Sequence, residues 1–490
     1  MGETYKRMAV LFRSVGSVIR CGSRERWQSG RMQHTANVLS LKRAPRVRIP
    51  PSPPIMAKKY YGAQTEKAMK NFPFDFRRTY KELIYTVVEI KKASARAHVA
   101  AGELDRARTH AIVRACDEIL TGKHDEQFVL PSFQGGMGTS NHMNVNEVVA
   151  NRATDILRGT TSVHPNDHVN MSHSTNDTMP SALKIASIRL AEELDNSLGM
   201  LIVAFEKKAK QFARIVKLGR THMQDAVPMT LGDEFASYAE TLKRRRTGMR
   251  EAKAYLFELS LGGSAVGNSV NVSAKYKKHL YRELQKVTKL KVRPAKNLMS
   301  QTASVTDFLV VSQALTALCA DLGKIAGDFR ILSSGPKGGF AEIILPELQA
   351  GSSIMPGKVN PVLPEALSQL YYLVSGNNLT IEHAVEGGQL ELGVMMPVIS
   401  DRLIESLKLS QEMIEQFAIK CVSIVEANKP RIKEHLERST AYATLLNPEI
   451  GYDAAAECVK ESVASGKTLR EVVLAKKLLT PKEFDNITKA

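Results

Sequence analysis

Aromatic residues are scarce in this 490-residue chain, 6% of the total with one tryptophan, Trp27. Basic side chains are not interleaved with them. A groove that stacks bases while following a phosphate backbone needs that interleaving, so a nucleic-acid partner is excluded. Cysteine is equally sparse. Cys21, Cys116, Cys319, Cys421 and Cys458 are far apart, odd in number and form no CxxC pair. This argues against a disulfide framework or a cysteine metal site, and for reduced thiols in a cytoplasmic compartment. No run of about 18 uninterrupted apolar residues marks a transmembrane helix, so no membrane partner is expected.

Positive charge is plentiful but unevenly placed. The formal net charge is +18; residues 1 to 55 hold 11 Lys and Arg against 2 Asp and Glu, and the rest of the chain 57 against 48. The body is therefore only mildly basic. The leading segment is Arg-rich and ends in RAPRVRIPPSPP, whose proline density opposes regular packing. Two readings fit it: a transit-like peptide, or an extension translated from a misplaced start with Met56 as the true beginning. The second is preferred because globular patterning begins just after Met56. Either way residues 1–55 are expected to be a disordered basic extension.

Beyond it, strand-like alternation is rare and 3.6-residue periodicity dominates. Leu190, Leu194, Leu198, Leu201, Phe205, Ala209 and Phe212 step by three or four in a stretch free of proline from Ser181 to Val227. This predicts one long amphipathic helix. Phe308, Val311, Leu315, Leu318, Leu322, Ile325, Phe329 and Leu332 form the apolar seam of another, about 30 residues long. Two more are predicted over 361–384 and 398–427. Seams of this length need helical neighbours, which predicts an all-α fold around a central bundle shared between subunits.

Short polar clusters interrupt the helices. Gly135 to Asn146 reads GGMGTSNHMNVN, Ser172 to Thr178 reads SHSTNDT just before Pro180, and Gly219 to Asp225 reads GRTHMQD. Pro180 suits the first helical position, which would gather Ser174, Thr175, Asn176 and Thr178 around the unpaired N–H groups of a positive helix end, where anions bind. A plainer reading is N-capping by Asp177 or Thr178. The segment GSSIMPGKVNP at 351–361 combines two glycines, two prolines, two serines, a lysine and an asparagine, with no acid and no aromatic. It reads as a closing loop that carries donors and a possible nucleophile. Singly, His222 is an ordinary satisfied histidine, Lys358 a solvated charge and Ser352 a loop hydroxyl.

Taken together these stretches resemble a known family, the fumarase and aspartase branch of the fumarate-forming lyases. GSSIMPGKVNP looks like its signature loop. YYGAQTEKAMKNFP at 60–73, MNVNEVVANRA at 143–153, HPNDHVNMSHSTND at 164–177, GRTHMQDAVPMTLGDEF at 219–235, SSGP at 333–336 and LNPEIGYDAA at 446–455 match as well. The resemblance extends from Met56 to the C-terminus. It implies an all-α subunit of three domains (56–190, 191–445 with the loop, 446–490) and a homotetramer whose active sites draw on three subunits. It implies a small dicarboxylate substrate and elimination without metal or redox cofactor.

Residue by residue, the resemblance makes Ser352 the base, with Lys358 as the cation near it and His222 paired with Glu365. Thr139, Ser174, Thr175, Asn176, Thr221 and Asn360 would bind substrate. STND at 174–177 and Met137 within GMGTS are more similar to aspartate ammonia-lyases than to fumarases, which favours ammonia elimination from L-aspartate. Class II fumarate hydratase is the alternative, and an inactive scaffold of the same fold a remote one. The chain departs from the family pattern at Thr65-Glu66-Lys67, Gly267-Asn268-Ser269, Gly335-Pro336-Lys337 and Glu391-Leu392-Gly393. A further departure is His142, just before Met143 and Asn144 of the NMN stretch.

Overall fold

A computed structural model describes residues 58–488; the basic extension predicted over 1–55 lies outside the described residues. Among the described residues sixteen α-helices follow one another: α1 Ala63–Asn71, α2 Lys81–Ala101, α3 Arg106–Leu120, α4 Thr139–Ile156, α5 Thr175–Phe212, α6 Leu231–Ala254, α7 Ala274–Thr288 and α8 Leu298–Ala303. Then come α9 Thr306–Leu332, α10 Val362–Glu386, α11 Met396–Phe417, α12 Lys429–Arg438, α13 Ala443–Ile450, α14 Tyr452–Ser465, α15 Leu469–Ala475 and α16 Pro481–Thr488. Three two-stranded pairs complete the described residues: β1 Val216–Thr221 with β2 Gln224–Thr230, β3 Glu258–Leu259 with β4 Arg293–Pro294, and β5 Ile343–Ile344 with β6 Glu426–Ala427.

Helices α5, α6, α9, α10 and α11 pack side by side as the central bundle. The seam read from Phe308 to Leu332 is buried throughout, and each such side chain contributes about 1.5–3 kcal/mol of transfer free energy. By length and composition α9 could also cross a membrane, with a mean hydropathy of 1.4 in its most apolar window. It holds no uninterrupted apolar run, since Ser312, Gln313, Thr316, Asp321 and Lys324 divide it. Here its apolar face is the centre of the bundle. Phe205 near the end of α5, Phe235 at the start of α6, and Phe329 and Phe417 at the ends of α9 and α11 form one aromatic cluster, with Phe329 and Phe417 5.4 Å apart. Those four helix ends therefore lie together. A separate small core of Leu446, Cys458, Leu469, Val472, Val473 and Phe484 holds the C-terminal helices.

Three boundaries differ from the sequence reading, each for a local reason. α5 does not run to 227; it stops at Phe212, and β-branched Ile215 and Val216 lead into the β1–β2 hairpin. α5 also begins earlier than Pro180. Ser174 caps it through a capping box with Asp177, so Pro180 lies inside the helix. Finally, α11 gives way at Phe417 to a π-turn over Ala418–Val422, because Glu426 and Ala427 are drawn into the ladder with β5.

Candidate active site

The first turn of α5 carries Ser174, Thr175 and Asn176, all half-buried. Ser174 Oγ accepts the Asn176 N–H at 3.2 Å, and the Ser174 N–H donates to Asp177 Oδ1 at 3.0 Å. Asp177 is fully buried and its Oδ2 also accepts the Gly262 and Ser264 N–H groups, at 3.0 and 2.9 Å. Burial pushes its carboxyl up to about 6 against the pull of those three N–H donors. The loop after Leu261 is thereby held against the helix end, and Asn176 Nδ2 donates to Ala265 O at 2.8 Å. Asp177 serves the site by fixing it. Sequence reading took it for a cap candidate and missed the loop it staples.

Thr139 opens α4 beside this turn. Its hydroxyl donates to Gly136 O at 2.8 Å. Gly138 has φ of +87°, and a Cβ there would also press on Met179 Cε of α5 at 3.2 Å, so the two helix starts meet closely at a glycine. Beneath them is a buried polar layer that sequence reading also missed. Lys91 Nζ donates to Asn170 Oδ1 at 2.7 Å and stands 3.0 Å from His173 Nδ1, while His173 Nε2 is 2.8 Å from the Tyr276 hydroxyl. Desolvation pushes the Lys91 amine down to about 7.

Thr221 and His222 lie at the other end of α5. Thr221 pairs with Gln224 across the hairpin, and His222 and Met223 form its two-residue turn with φ of 54° and 62°. Both are non-glycine residues in the left-handed region, the kind of strain that gathers at functional tips. His222 is exposed. The hairpin stem is anchored by Glu342, 0% exposed, which meets Lys217 at 3.0 Å, Arg220 at 2.8 Å and His435 at 2.9 Å. No sequence signal distinguished that carboxylate.

Glu342 leads into the loop. Asn360 Nδ2 donates to Gly351 O at 2.6 Å and closes its neck. The strands of the neck are so close that a Cβ on Gly351 would lie 1.8 Å from the Lys358 carbonyl oxygen, which only glycine permits. Ser352 Oγ accepts the N–H groups of Ile354 and Met355 at 3.2 and 3.1 Å. Lys358 is exposed on the loop, and Glu365 sits exposed on the first turn of α10, accepting from Gln369 Nε2 at 3.2 Å.

The predicted residues thus fall into two groups. Thr139, Ser174, Thr175 and Asn176 share the N-terminal end of α5; Thr221, His222, Ser352, Lys358, Asn360 and Glu365 lie toward the opposite end. With 38 residues, α5 is about 55 Å long at 1.5 Å per residue. Among the described residues no hydrogen bond or ion pair joins the two groups, or joins His222 to Glu365 or Lys358 to Ser352.

Comparison with known proteins gives this geometry its context. The family model described as Lyase matches residues 55–376, and that described as Fumarase C C-terminus matches 443–490. The chain belongs to the fumarase and aspartase family of lyases. Within that family it is 40% identical over 437 residues to the aspartate ammonia-lyase of Bacillus subtilis, covering 88% of this chain and 92% of that one. It is 42% identical over 440 residues to the class II fumarate hydratase of Thermus aquaticus, covering 88% and 94%. Among solved structures, a fumarate lyase:delta crystallin from Brucella melitensis is 41% identical with a TM-score of 0.84, covering 88% of this chain and 94% of that one. This fumarase and aspartase family member therefore has the fold of its relatives along nearly all of its described length.

Proposed function

We propose that the protein eliminates ammonia from L-aspartate to give fumarate, reversibly, through an aci-carboxylate intermediate. The observation that carries this reading is the orientation of the Asn176 amide. One of its Nδ2 hydrogens goes to Ala265 O, which sets the turn of the amide and leaves Oδ1, beside the second N–H, as an acceptor on the first turn of α5, the polarity an ammonium group requires. Beside it, Ser174 Oγ already accepts the Asn176 N–H, so its own O–H is free to donate to a carboxylate at the positive helix end.

In this reading Ser352 removes a proton from the carbon next to the β-carboxylate. The two N–H groups on its oxygen favour the alkoxide, and Lys358 supplies the cation as the loop closes. Negative charge then moves onto a carboxylate that already carries one. Thr175, Thr221 and the second Asn360 N–H spread it, joined by Thr139 once its hydroxyl turns from Gly136 O, each such donor being worth about 2.7–4 kcal/mol, while the positioned base gives about 10²–10⁴-fold. The donors together outweigh the base. His222, oriented by Glu365, completes the pocket; the Cα–N bond breaks as the Cα=Cβ double bond forms, and the ammonium group leaves as ammonia.

The separation along α5 is why we read the active protein as a homotetramer. The two groups meet only when the N-terminal end of one α5 lies beside the hairpin and loop of other subunits. Exposed apolar residues along α5, Met200 and Val203, and along α10, Tyr372 and Leu379, offer the helix-to-helix contact that brings chains together. We place this enzyme in the cytoplasm. The second reading, fumarate hydratase, is favoured by the 42% identity to the Thermus aquaticus enzyme; there His222 and Glu365 would manage a water. Ultraviolet absorbance of fumarate formed from L-aspartate, compared with L-malate, separates the two. Fumarate and ammonia appearing from aspartate support the proposal, and fumarate from malate alone replaces it with the hydratase.

A further inference from the structure

His142 has none of the roles assigned above. It lies one turn into α4, is 1% exposed, and its Nδ1 stands 2.9 Å from Thr175 Oγ1 on the first residue of α5. Its Nε2 is sealed from solvent and meets no hydrogen-bond partner among the described residues. Burial first, and the Lys91 charge second, hold its pKa well below the ordinary value, so the ring is neutral.

A neutral imidazole offers one N–H and one lone pair. The nitrogen facing Thr175 and the unpartnered nitrogen are therefore of opposite kinds. A buried N–H with no acceptor is the rarer and costlier orphan, so the bare lone pair belongs on Nε2 and the proton on Nδ1. The consequence reaches the ligand. A hydroxyl has a single hydrogen; a neighbour that accepted it would leave Thr175 only lone pairs to turn toward an anion. A neighbour that donates frees that hydrogen and polarises it.

We propose that His142 is a positioning residue for the substrate dicarboxylate: its Nδ1–H donates to Thr175 Oγ1 and so commits the Thr175 O–H to a substrate carboxylate. This rests on the α5 N-terminus being a substrate site, and is indifferent to whether ammonia or water is eliminated.

Neutron diffraction from the deuterated full-length protein near neutral pH reads the proton directly. A deuteron on Nδ1 with a bare Nε2 is expected, and a deuteron on Nε2 overturns the proposal. Fumarate binding by calorimetry supplies the energetic test. His142→Leu should raise the Kd about tenfold, and the double variant with Thr175→Ala should lose no more than Thr175→Ala alone, because the two act as a unit. His142→Asn places an amide N–H at the same δ position and should recover most of the affinity. An unchanged Kd in His142→Leu, or additive losses, would defeat the proposal. If His142→Leu fails to fold, His142→Asn and the neutron map still decide it. A wild-type protein that binds no fumarate defeats the lyase reading instead, and the position of the deuteron stands apart from that result.

Discussion

The backbone N–H of Met355 donates to Ser352 Oγ at 3.1 Å, three residues further along the same loop, and the Ile354 N–H joins it at 3.2 Å. Two donors converging on one hydroxyl oxygen stabilise negative charge there more than they stabilise the neutral alcohol. Ser352→Ala should therefore cut kcat by about 10²–10⁴-fold or more while the fumarate Kd changes only a few-fold. Lys358→Ala should damage both quantities. Ser353→Ala, which removes a neighbouring hydroxyl without this pair of donors, serves as the control. Deamination by Ser352→Ala at the parent rate would dismiss the serine as base.

Separation along α5 yields a second expectation. Thr175 and His222 flank opposite ends of a helix about 55 Å long, so a site that uses both draws them from different chains. Thr175→Ala and His222→Ala should each be nearly inactive alone. Mixed, unfolded and refolded together, they should regain roughly a quarter of the parent activity, because random assembly pairs an intact Thr175 from one chain with an intact His222 from another. Steady-state rates on the refolded mixture check this, and a mixture no more active than its components would mean that each site lies within one chain.

The sequence was most readable where periodicity speaks. Every residue of the Phe308 to Leu332 seam is buried, because a 3.6-residue repeat sustained over seven turns admits few other arrangements. The absence of proline between Ser181 and Val227 was a weaker guide: helix-compatible residues permit a helix without compelling one, and hairpin pairing won after Phe212. Candidate site residues stood out as polar clusters in a helical background, and the resemblance proposed to join them. What stayed hidden were groups whose meaning lies in their partners. Asp177, Glu342, Lys91 and His142 are ordinary letters in the chain, and only packing shows that the two carboxylates are buried among donors and cations, that the lysine is buried against the Asn170 amide oxygen and His173, and that His142 holds an unpaired nitrogen.

Acid should weaken the junction of α3 and α4 through Glu118. Arg152 grips this carboxylate with both Nε and Nη2, at 2.6 and 3.1 Å, and that contact holds its pKa down at about 2 from an ordinary 4.5. A depressed carboxyl pKa adds stability that is fully present above the unfolded value and lost as pH falls through the folded one. The window is about 4.5 down to 2. Glu118→Gln should unfold more easily than the parent at neutral pH, with the gap narrowing steadily across that window. Urea midpoints at pH 7, 4.5, 3 and 2 measure it, and a gap independent of pH would remove Glu118 from the acid response.

Glu342 ties the two functional parts at one end of the bundle. Burial alone would raise its pKa, but Lys217, His435 and Arg220 outweigh that and hold it low, so it is an anion among cations. Lys217 and Arg220 belong to the strand that ends at Thr221, and Glu342 itself precedes the loop that carries Ser352. Replacing it by alanine leaves half-buried Arg220 without its carboxylate and buried Lys217 with Glu234 alone, 2.8 Å away, a loss of at most about 3–5 kcal/mol, the usual cost of breaking a buried pair. Glu342→Ala should thus lower the unfolding midpoint and also free the hairpin, reducing activity beyond what the folded fraction explains. Glu342→Gln retains the shape and one acceptor, so it should fall between the two. Equal stability for all three proteins in denaturant would show that the cations are satisfied elsewhere, and the coupling of hairpin to loop would then need another carrier.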